Sequence, residues 1–211
     1  MNQYVAPASL VEHPPCRRPD LLLVGEVHGN VARSVQYEDQ VAGRCDVLVH
    51  AAAAFDRSDL ARLDLALWRR VQAVNVESAL LLAQAFVPGM AARGSGRIIF
   101  VVSDTVWAPP AADLLPYVTS KGALVALARA LAVAHGPDGI AVTCVAPGLT
   151  ATPAARAGMP AAAFEAVRSR QALPRTLRPD DVAAAVAFLA SDGAAALTGQ
   201  VLCTDGGLVM R

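Results

Sequence analysis

The feature that most constrains the fold of this 211-residue chain is a series of short, uninterrupted apolar runs separated by helix-like segments. The pattern predicts strands at residues 20–24, 46–49, 98–102, 140–145 and 201–203. It predicts helices at about 31–42, 67–87, 117–134 and 182–190. Strands that are apolar on both faces are typical of a parallel sheet covered by helices on both sides. We therefore expect an α/β protein with a doubly wound parallel sheet.

Composition narrows the class of protein. The chain is 55% hydrophobic and 17% charged, but no run reaches the roughly 18 uninterrupted apolar residues that a membrane-spanning helix needs. The formal net charge of zero gives no electrostatic argument for nucleic acid or an anionic membrane as a partner. The four cysteines are scattered without a C-x-x-C pair, so we expect reduced thiols in a cytoplasmic protein and no metal site.

The domain organisation follows from the same pattern. Residues 1–19 contain four prolines and little apolar periodicity, so we expect an irregular segment without an apolar signal core. Residues 20–211 contain no repeat and no long linker. We expect them to form a single domain.

The residues that indicate chemistry are a tyrosine, a lysine and a serine. Tyr117 and Lys121 are four apart in a predicted helix and therefore share one face of it. A lysine ammonium there can hold a phenol close to ionisation. Ser103 ends a predicted strand, where its hydroxyl can meet a substrate oxygen. This combination indicates proton transfer to or from an alcohol or a ketone.

Six segments in a fixed order resemble the short-chain dehydrogenase/reductase family, most closely its 3-oxoacyl-carrier-protein-reductase-like members. The segments are 46–49, 68–76, 96–103, 117–121, 147–152 and 197–207, and the resemblance runs from about Leu21 to Val209. It implies a Rossmann-like fold and an NAD(P)-dependent oxidoreductase that interconverts a secondary alcohol and a ketone.

The resemblance also implies a role for each catalytic residue. Tyr117 would be the general acid in ketone reduction and the general base in alcohol oxidation. Lys121 would favour the phenolate and bind the nicotinamide ribose, and Ser103 would hold the substrate oxygen. Asn75 would bind a water that links Lys121 to solvent.

The cofactor expected from the resemblance is NAD or NADP, without a preference. The residues that would bind it are Glu26, Val27, His50, Tyr117, Lys121, Pro147, Gly148, Thr150 and Thr152. His50 replaces the first asparagine of the family's Asn-Asn-Ala-Gly segment and can equally be a satisfied core histidine. Thr152 can equally be a simple helix cap.

The register of the serine has an alternative. Thirteen residues separate Ser103 from Tyr117, one more than the family usually has, and the commoner gap would place Asp104 at the serine position. We favour Ser103 because the Gly96–Ile99 motif sets the register of the strand.

The largest departure from the family lies near the N-terminus. The family's Thr-Gly-x-x-x-Gly-x-Gly turn should follow the first strand and bind the pyrophosphate. The candidate here, Gly25–Val31, lacks the final glycine and the preceding threonine. We prefer an alignment in which Glu26 and Val27 match the acidic end of the third strand, so that the chain lacks the first β-α unit. A start site lying further upstream would also account for this departure.

Two alternative functions remain open at this point. The chain can be a degenerate, non-catalytic subunit that pairs with an intact reductase through its two long helices, or it can perform an elimination or isomerisation without nicotinamide. For the enzyme we expect a homo-oligomer acting on a small hydrophobic alcohol or ketone. We expect a mobile apolar lid at 151–170 to cover that substrate.

Overall fold

The computed structural model describes residues 21–24 and 44–210. Five strands form one sheet in the order β1-β2-β3-β4-β5, and every neighbouring pair is parallel. The strands are Leu21–Val24, Val47–His50, Gly96–Val101, Ile140–Pro147 and Val201–Thr204. The predicted parallel sheet is confirmed. The predicted helix at 31–42 and the predicted irregular segment at 1–19 lie outside the described residues.

The strand register brings all five carboxyl ends to one edge of the sheet. Leu21 lies opposite Val47, which in turn lies opposite Arg97. On the other side of β3, Arg97 lies opposite Ala141, and β4 and β5 continue in the same direction. Side chains that follow β2, β3 and β4 are therefore neighbours in space, and open α/β sheets bind their ligands at this edge.

Helices connect the strands. They are α1 (Leu65–Gln72), α2 (Ser78–Arg93), α3 (Leu115–His135), α4 (Pro153–Gly158), α5 (Ala161–Arg168) and α6 (Pro179–Ala190). A five-residue π-helix, Ala73–Glu77, joins α1 to α2, so the helix predicted at 67–87 is longer than expected and is interrupted. The expected lid at 151–170 contains the two short helices α4 and α5, which the sequence pattern did not indicate.

Alternate residues of the central strands pack against opposite layers of helices. Leu48, Ile98 and Phe100 share one buried cluster with residues of α2 and α3. Val49 and Ile99 belong to a second cluster, which α6 covers. Burying such a side chain fully is worth roughly 1.5–3 kcal/mol, so these strands are stable only with a helix layer on each face.

Two helical stretches of the described chain are long and apolar enough to cross a membrane, Leu65–Arg93 and Leu115–Asp138. Length and composition alone give this result, and core helices of α/β folds meet the same criteria. Both stretches contribute to the buried core beside the sheet, through residues such as Met90 and Leu124. Packing in this fold therefore explains part of their apolar character, since 33% of the apolar window in each stretch is buried.

Candidate active site

Ser103 lies two residues after the end of β3 and is the N-cap of a short 3₁₀ turn, Asp104–Val106. Its backbone is extended, with φ −162°, and its Oγ accepts a hydrogen bond from the Thr105 backbone N–H at 3.3 Å. A serine that starts a helical turn satisfies one of the turn's free N–H groups in this way. The local sequence thus holds the Ser103 hydroxyl at the carboxyl edge of the sheet.

Tyr117 and Lys121 lie in the first two turns of α3, which begins at Leu115 with Pro116 in its first turn. The Ser103 hydroxyl is close enough to the Tyr117 phenol to lower its pKa. The Lys121 Nζ lies 5.6 Å from the centroid of the Tyr117 ring. The structure therefore brings together the three residues that the sequence separates by up to eighteen positions.

The Lys121 ammonium is buried, with 2% of the residue exposed. It donates a hydrogen bond to the carbonyl oxygen of Val101, at 2.8 Å. Burial lowers the pKa of Lys121 to about 8, and the nearby Cys144 opposes that change. Two of its three protons are not used by the Val101 bond and are available to a ligand.

Tyr117 is firmly protonated at neutral pH. Burial raises its pKa to about 12, the nearby Ser103 hydroxyl lowers it and the Asp104 charge raises it further. The expectation that Lys121 favours the phenolate stays a prediction; in this structure its ammonium bonds the strand carbonyl of Val101. The Phe55 ring packs edge-on against the Tyr117 ring at 4.6 Å and covers part of it.

Asn75 lies in the π-helix and is completely buried. Its Oδ1 accepts from the Ala54 N–H at 2.6 Å, and its Nδ2 donates to the Ala54 carbonyl at 3.1 Å and to the Ser120 Oγ at 2.8 Å. Ser120 in turn donates to the carbonyl of Tyr117 at 2.7 Å. Both amide protons of Asn75 are therefore committed to protein partners, and its side chain joins the loop after β2 to the tyrosine helix.

His50 ends β2 and is completely buried. Its Nε2 lies 2.7 Å from the Ser78 Oγ, whose own proton is donated to the Val74 carbonyl at 2.6 Å. His50 Nε2 is therefore the donor. Burial, and then the Lys121 charge, lower the pKa of His50 to about 4, so the ring is neutral. Its Nδ1 is an acceptor with no hydrogen-bond partner among the described residues.

The loop after β4 supplies the remaining expected cofactor residues that the structure describes. A Cβ added to Gly148 would lie 3.0 Å from the Asp205 Cα, so the backbone passes close to the end of β5. Thr150 donates to the Gly148 carbonyl at 2.9 Å, next to Pro147. Thr152 caps α4 by accepting from Ala155 N–H at 3.1 Å and keeps its own proton for another partner. Glu26 and Val27 lie outside the described residues.

Sequence reasoning missed the position of Asp104, which it considered only as an alternative to Ser103. The Asp104 carboxylate is buried and accepts a hydrogen bond from the Ser103 hydroxyl at 3.3 Å. Burial, with help from the Asp205 charge, raises its pKa to about 6. The available signal was its place in the segment after a central strand, because such segments of a parallel sheet form the ligand edge.

Comparison with known proteins agrees with this geometry. A family model described as enoyl-(acyl carrier protein) reductase matches residues 26–209. A probable short-chain type dehydrogenase/reductase of Bradyrhizobium diazoefficiens is 40% identical over 184 residues, which cover 85% of this chain and 65% of that protein. The chain belongs to the short-chain dehydrogenase/reductase family, as the sequence motifs predicted.

Solved structures give the same result. A gluconate 5-dehydrogenase from Burkholderia cenocepacia, in complex with NADP and tartrate, matches with a TM-score of 0.76 and 30% identity over 84% of this chain and 70% of its own. A 3-oxoacyl-[acyl-carrier protein] reductase from Brucella melitensis matches with a TM-score of 0.78 and 26% identity, over 86% and 69%. The Rossmann-like fold is confirmed. The chain spans about two thirds, 65%, of the length of its Bradyrhizobium relative.

The donor set at the carboxyl edge fits the nicotinamide end of such a dinucleotide. Lys121 has two free protons, Thr152 has one, and His50 Nδ1 is a buried acceptor without a described partner. These groups suit the hydroxyls and amide of a nicotinamide riboside. The expected adenine-binding residues belong to the part of the chain that the structure does not describe.

Proposed function

We propose that this chain is an NAD(P)-dependent oxidoreductase that interconverts a secondary alcohol and a ketone, with Tyr117 as general acid and base. One observation carries the proposal. A phenol, a serine hydroxyl and a buried ammonium converge at the carboxyl edge of a parallel sheet. The names of the relatives, which are dehydrogenases and reductases, support it.

The chain's own residues would manage the proton and the substrate oxygen. The nicotinamide supplies or accepts the hydride at the carbon that carries that oxygen. In the reduction, Tyr117 would give its proton to the ketone oxygen while Ser103 donates a second hydrogen bond to it. In the oxidation, Tyr117 would receive the alcohol proton. The high pKa of Tyr117 makes it a stable donor at neutral pH, and charge from Lys121 would support the phenolate that reduction leaves behind.

Lys121 would hold the nicotinamide ribose with the protons that the Val101 bond leaves free. Asn75 would position the tyrosine helix, because its hydrogen bonds to Ala54 and Ser120 hold that helix against the loop after β2. Pro147, Gly148, Thr150 and Thr152 would line the nicotinamide pocket beside them. Glu26 and Val27 would meet the adenine, as the family resemblance implies.

The first test is titration of the purified 211-residue protein with NADH and with NADPH. Quenching of Trp68 and Trp107 fluorescence reports binding, and calorimetry confirms it. We expect saturable binding at micromolar cofactor and a weaker affinity in Lys121→Met. Thr119→Ala is the matched control, because Thr119 is exposed on the same helix and bonds only the Leu115 carbonyl. Absence of binding up to millimolar cofactor would contradict the proposal.

The substrate we propose is a small hydrophobic alcohol or ketone. Helices α4 and α5 lie in the segment 151–170 that follows the β4 loop, next to the expected nicotinamide site. Within it, the Arg156 guanidinium lies over the Phe164 ring at 6.0 Å. We propose that this segment covers the substrate and contributes apolar contacts.

We further propose that the active form is a homo-oligomer built through the long helices α2 and α3. Leu80 on α2 is 40% exposed and Val133 on α3 is 82% exposed. Both helices are rich in alanine, which permits close helix packing. The cytoplasmic location expected from the sequence remains a prediction.

The alternative of a non-catalytic partner subunit is less well supported. Curated relatives are named as dehydrogenases or reductases, and Ser103, Tyr117 and Lys121 lie close together at the ligand edge. An inherited but unused site would not need Lys121 to remain buried with a single carbonyl partner.

A further inference from the structure

Asp104 lies beside Ser103 and has no part in the reaction proposed above. Only 5% of Asp104 and 7% of Ser103 are exposed. The Ser103 hydroxyl donates to the Asp104 Oδ1 at 3.3 Å, in the turn that follows β3. A buried carboxyl group that shares a proton with a substrate-binding hydroxyl can control how that hydroxyl is oriented.

The Ser103 hydroxyl has one proton, and the structure directs it to Asp104. The Ser103 oxygen accepts from the Thr105 hydroxyl at 3.0 Å, and the Ser103 side chain is close enough to the Tyr117 phenol to lower its pKa. A ketone oxygen beside Tyr117 can receive the Ser103 proton only after the hydroxyl turns away from Asp104.

The charged and titratable groups around Asp104 come from separate elements. Asp205, at the end of β5, raises the pKa of Asp104, as burial does, and the Arg170 guanidinium after α5 lowers it. Tyr117 faces Asp104 from α3 and remains a neutral phenol. The Asp205 carboxylate itself accepts from the backbone N–H groups of Gly207 and Val209, at 3.0 and 2.8 Å.

We propose that Asp104 is a positioning residue that sets the direction of the Ser103 hydroxyl, so that the enzyme is more active when Asp104 is protonated. This inference rests on the proposed function. A neutral carboxyl group is a weaker acceptor than a carboxylate, so the serine proton can turn from Asp104 to the substrate oxygen. An ionised carboxylate retains that proton and adds a negative charge near the oxygen where charge develops in the transition state.

The expected pH dependence has a definite sign. The pKa of Asp104 is about 6, so its carboxylate forms as the pH rises through 6 and the rate falls. His50 and Tyr117, with pKa values of about 4 and about 12, do not titrate between pH 5 and 7. Lys121 loses its charge only near pH 8. The fall is expected in the reduction direction, because the oxidation releases a proton and needs the Tyr117 phenolate, which becomes more abundant as the pH rises.

The test compares kcat from pH 5 to 7.5 for the wild type and Asp104→Asn, with NADH and NADPH and with acetophenone and ethyl acetoacetate as probe ketones. We expect the wild-type kcat to fall about tenfold across this range, a part of what one oxyanion donor contributes. Asp104→Asn should give a flat profile and exceed the wild type at pH 7.5. Asp104→Ser, a second neutral variant, should also be flat.

Asp113→Asn is the matched control. Asp113 is a carboxylate just before α3, the helix that carries Tyr117, but it is exposed and paired with Arg57 at 2.8 Å. This variant should keep the wild-type profile. Infrared difference spectra of isotope-labelled carboxyl groups, wild type minus Asp104→Asn, follow the Asp104 proton without activity and should place its titration near pH 6.

The outcomes distinguish a failure of the positioning role of Asp104 from a failure of the proposed function. If the Asp104 variants are active and retain the wild-type fall in kcat, the positioning role is wrong while the proposed function stands. If infrared spectra show Asp104 titrating near the ordinary aspartate value, the positioning role is wrong as well. If no variant and no wild-type sample shows NAD(P)-linked activity with these ketones, the proposed function fails and the inference fails with it.

Discussion

The ends of β2 and β3 carry two buried titratable groups at the same edge of the sheet, His50, a base, and Asp104, an acid. Burial moves both toward the neutral form, lowering the pKa of His50 to about 4 and raising that of Asp104 to about 6. At pH 7 the histidine is therefore neutral and the aspartate is still ionised. His50 has a settled donor role toward Ser78, whereas Asp104 shares the one proton of Ser103. Burial therefore keeps His50 neutral near neutral pH, whereas Asp104 changes its protonation state near pH 6.

The two groups also change stability in opposite directions. His50 contributes stability that is fully present above its unfolded pKa of 6.5 and is lost as the pH falls through 4. Asp104 contributes stability that is fully present below its unfolded pKa of 3.8 and is lost as the pH rises through 6. Each contribution is about 3 kcal/mol at 1.36 kcal/mol per unit of pKa. Between pH 4 and 6 the two slopes oppose each other.

The largest expected effect is on catalysis at the β3 end. Tyr117→Phe removes the proton donor but keeps the ring that packs on Phe55. We expect kcat to fall about 10²–10⁴-fold, the usual contribution of a general acid or base, with cofactor affinity nearly unchanged. Steady-state kinetics and cofactor titration measure the two quantities. A variant with near-normal kcat would remove Tyr117 from the mechanism, and Thr119→Ala should behave as the wild type.

Replacing Asp104 should reveal how His50 alone makes the free energy of unfolding depend on pH. In Asp104→Asn, the free energy of unfolding should fall by about 3 kcal/mol as the pH is lowered from 6.5 to 4, because the penalty for keeping His50 neutral is no longer opposed. Urea unfolding at several pH values measures this. A pH dependence in this variant equal to that of the wild type would show that Asp104 has an ordinary pKa.

Replacing His50 should make the free energy of unfolding change with pH in the opposite direction. His50→Gln keeps an amide donor for Ser78 but cannot titrate. Its free energy of unfolding should rise by up to about 3 kcal/mol as the pH is lowered from 6 toward 4, since Asp104 alone then binds a proton on folding. The same urea experiments apply. A decrease over this range would contradict the assigned pKa shifts.

The smallest expected effect concerns the partner of His50. Ser78→Ala leaves the Nε2 proton of His50 and the carbonyl of Val74 without this hydroxyl. We expect a loss of about 1–3 kcal/mol, the cost of an unsatisfied buried polar group. Thermal unfolding measures it. Ser169→Ala is the control, because Ser169 is exposed and bonds only the Ala166 carbonyl, so its loss should change stability very little.

The fold could be predicted because its strands are buried on both faces. Uninterrupted apolar runs such as Ile98–Val102 have one interpretation in a chain where helices alternate with them. The serine, tyrosine and lysine could be placed for the same reason, since strand ends and helix starts of a parallel sheet meet at one edge. Helix ends were less accurate, because the helix predicted at 67–87 begins at Leu65 and its continuation ends at Arg93.

The electrostatic character of the site could not be predicted from the sequence. The pKa values of Tyr117 and Lys121 depend on burial and on the Val101 carbonyl, which lies twenty residues away from the lysine. The hydrophobic periodicity of the sequence does not indicate that Asp104 is buried at the site. Helices α4 and α5 were missed because they are six and eight residues long, too short for apolar periodicity to appear.

The π-helix at Ala73–Glu77 makes the length of this segment unusually important. Each residue of an α-helix turns the chain by about 100°, so one extra residue shifts the phase of everything beyond it. With that shift, Asn75 points to Ala54 while Met90 of α2 still points into the core. A deletion of one residue here would restore a regular helix and satisfy only one of these two contacts. A change that lost no side chain of the site could therefore still disconnect the tyrosine helix from the sheet edge.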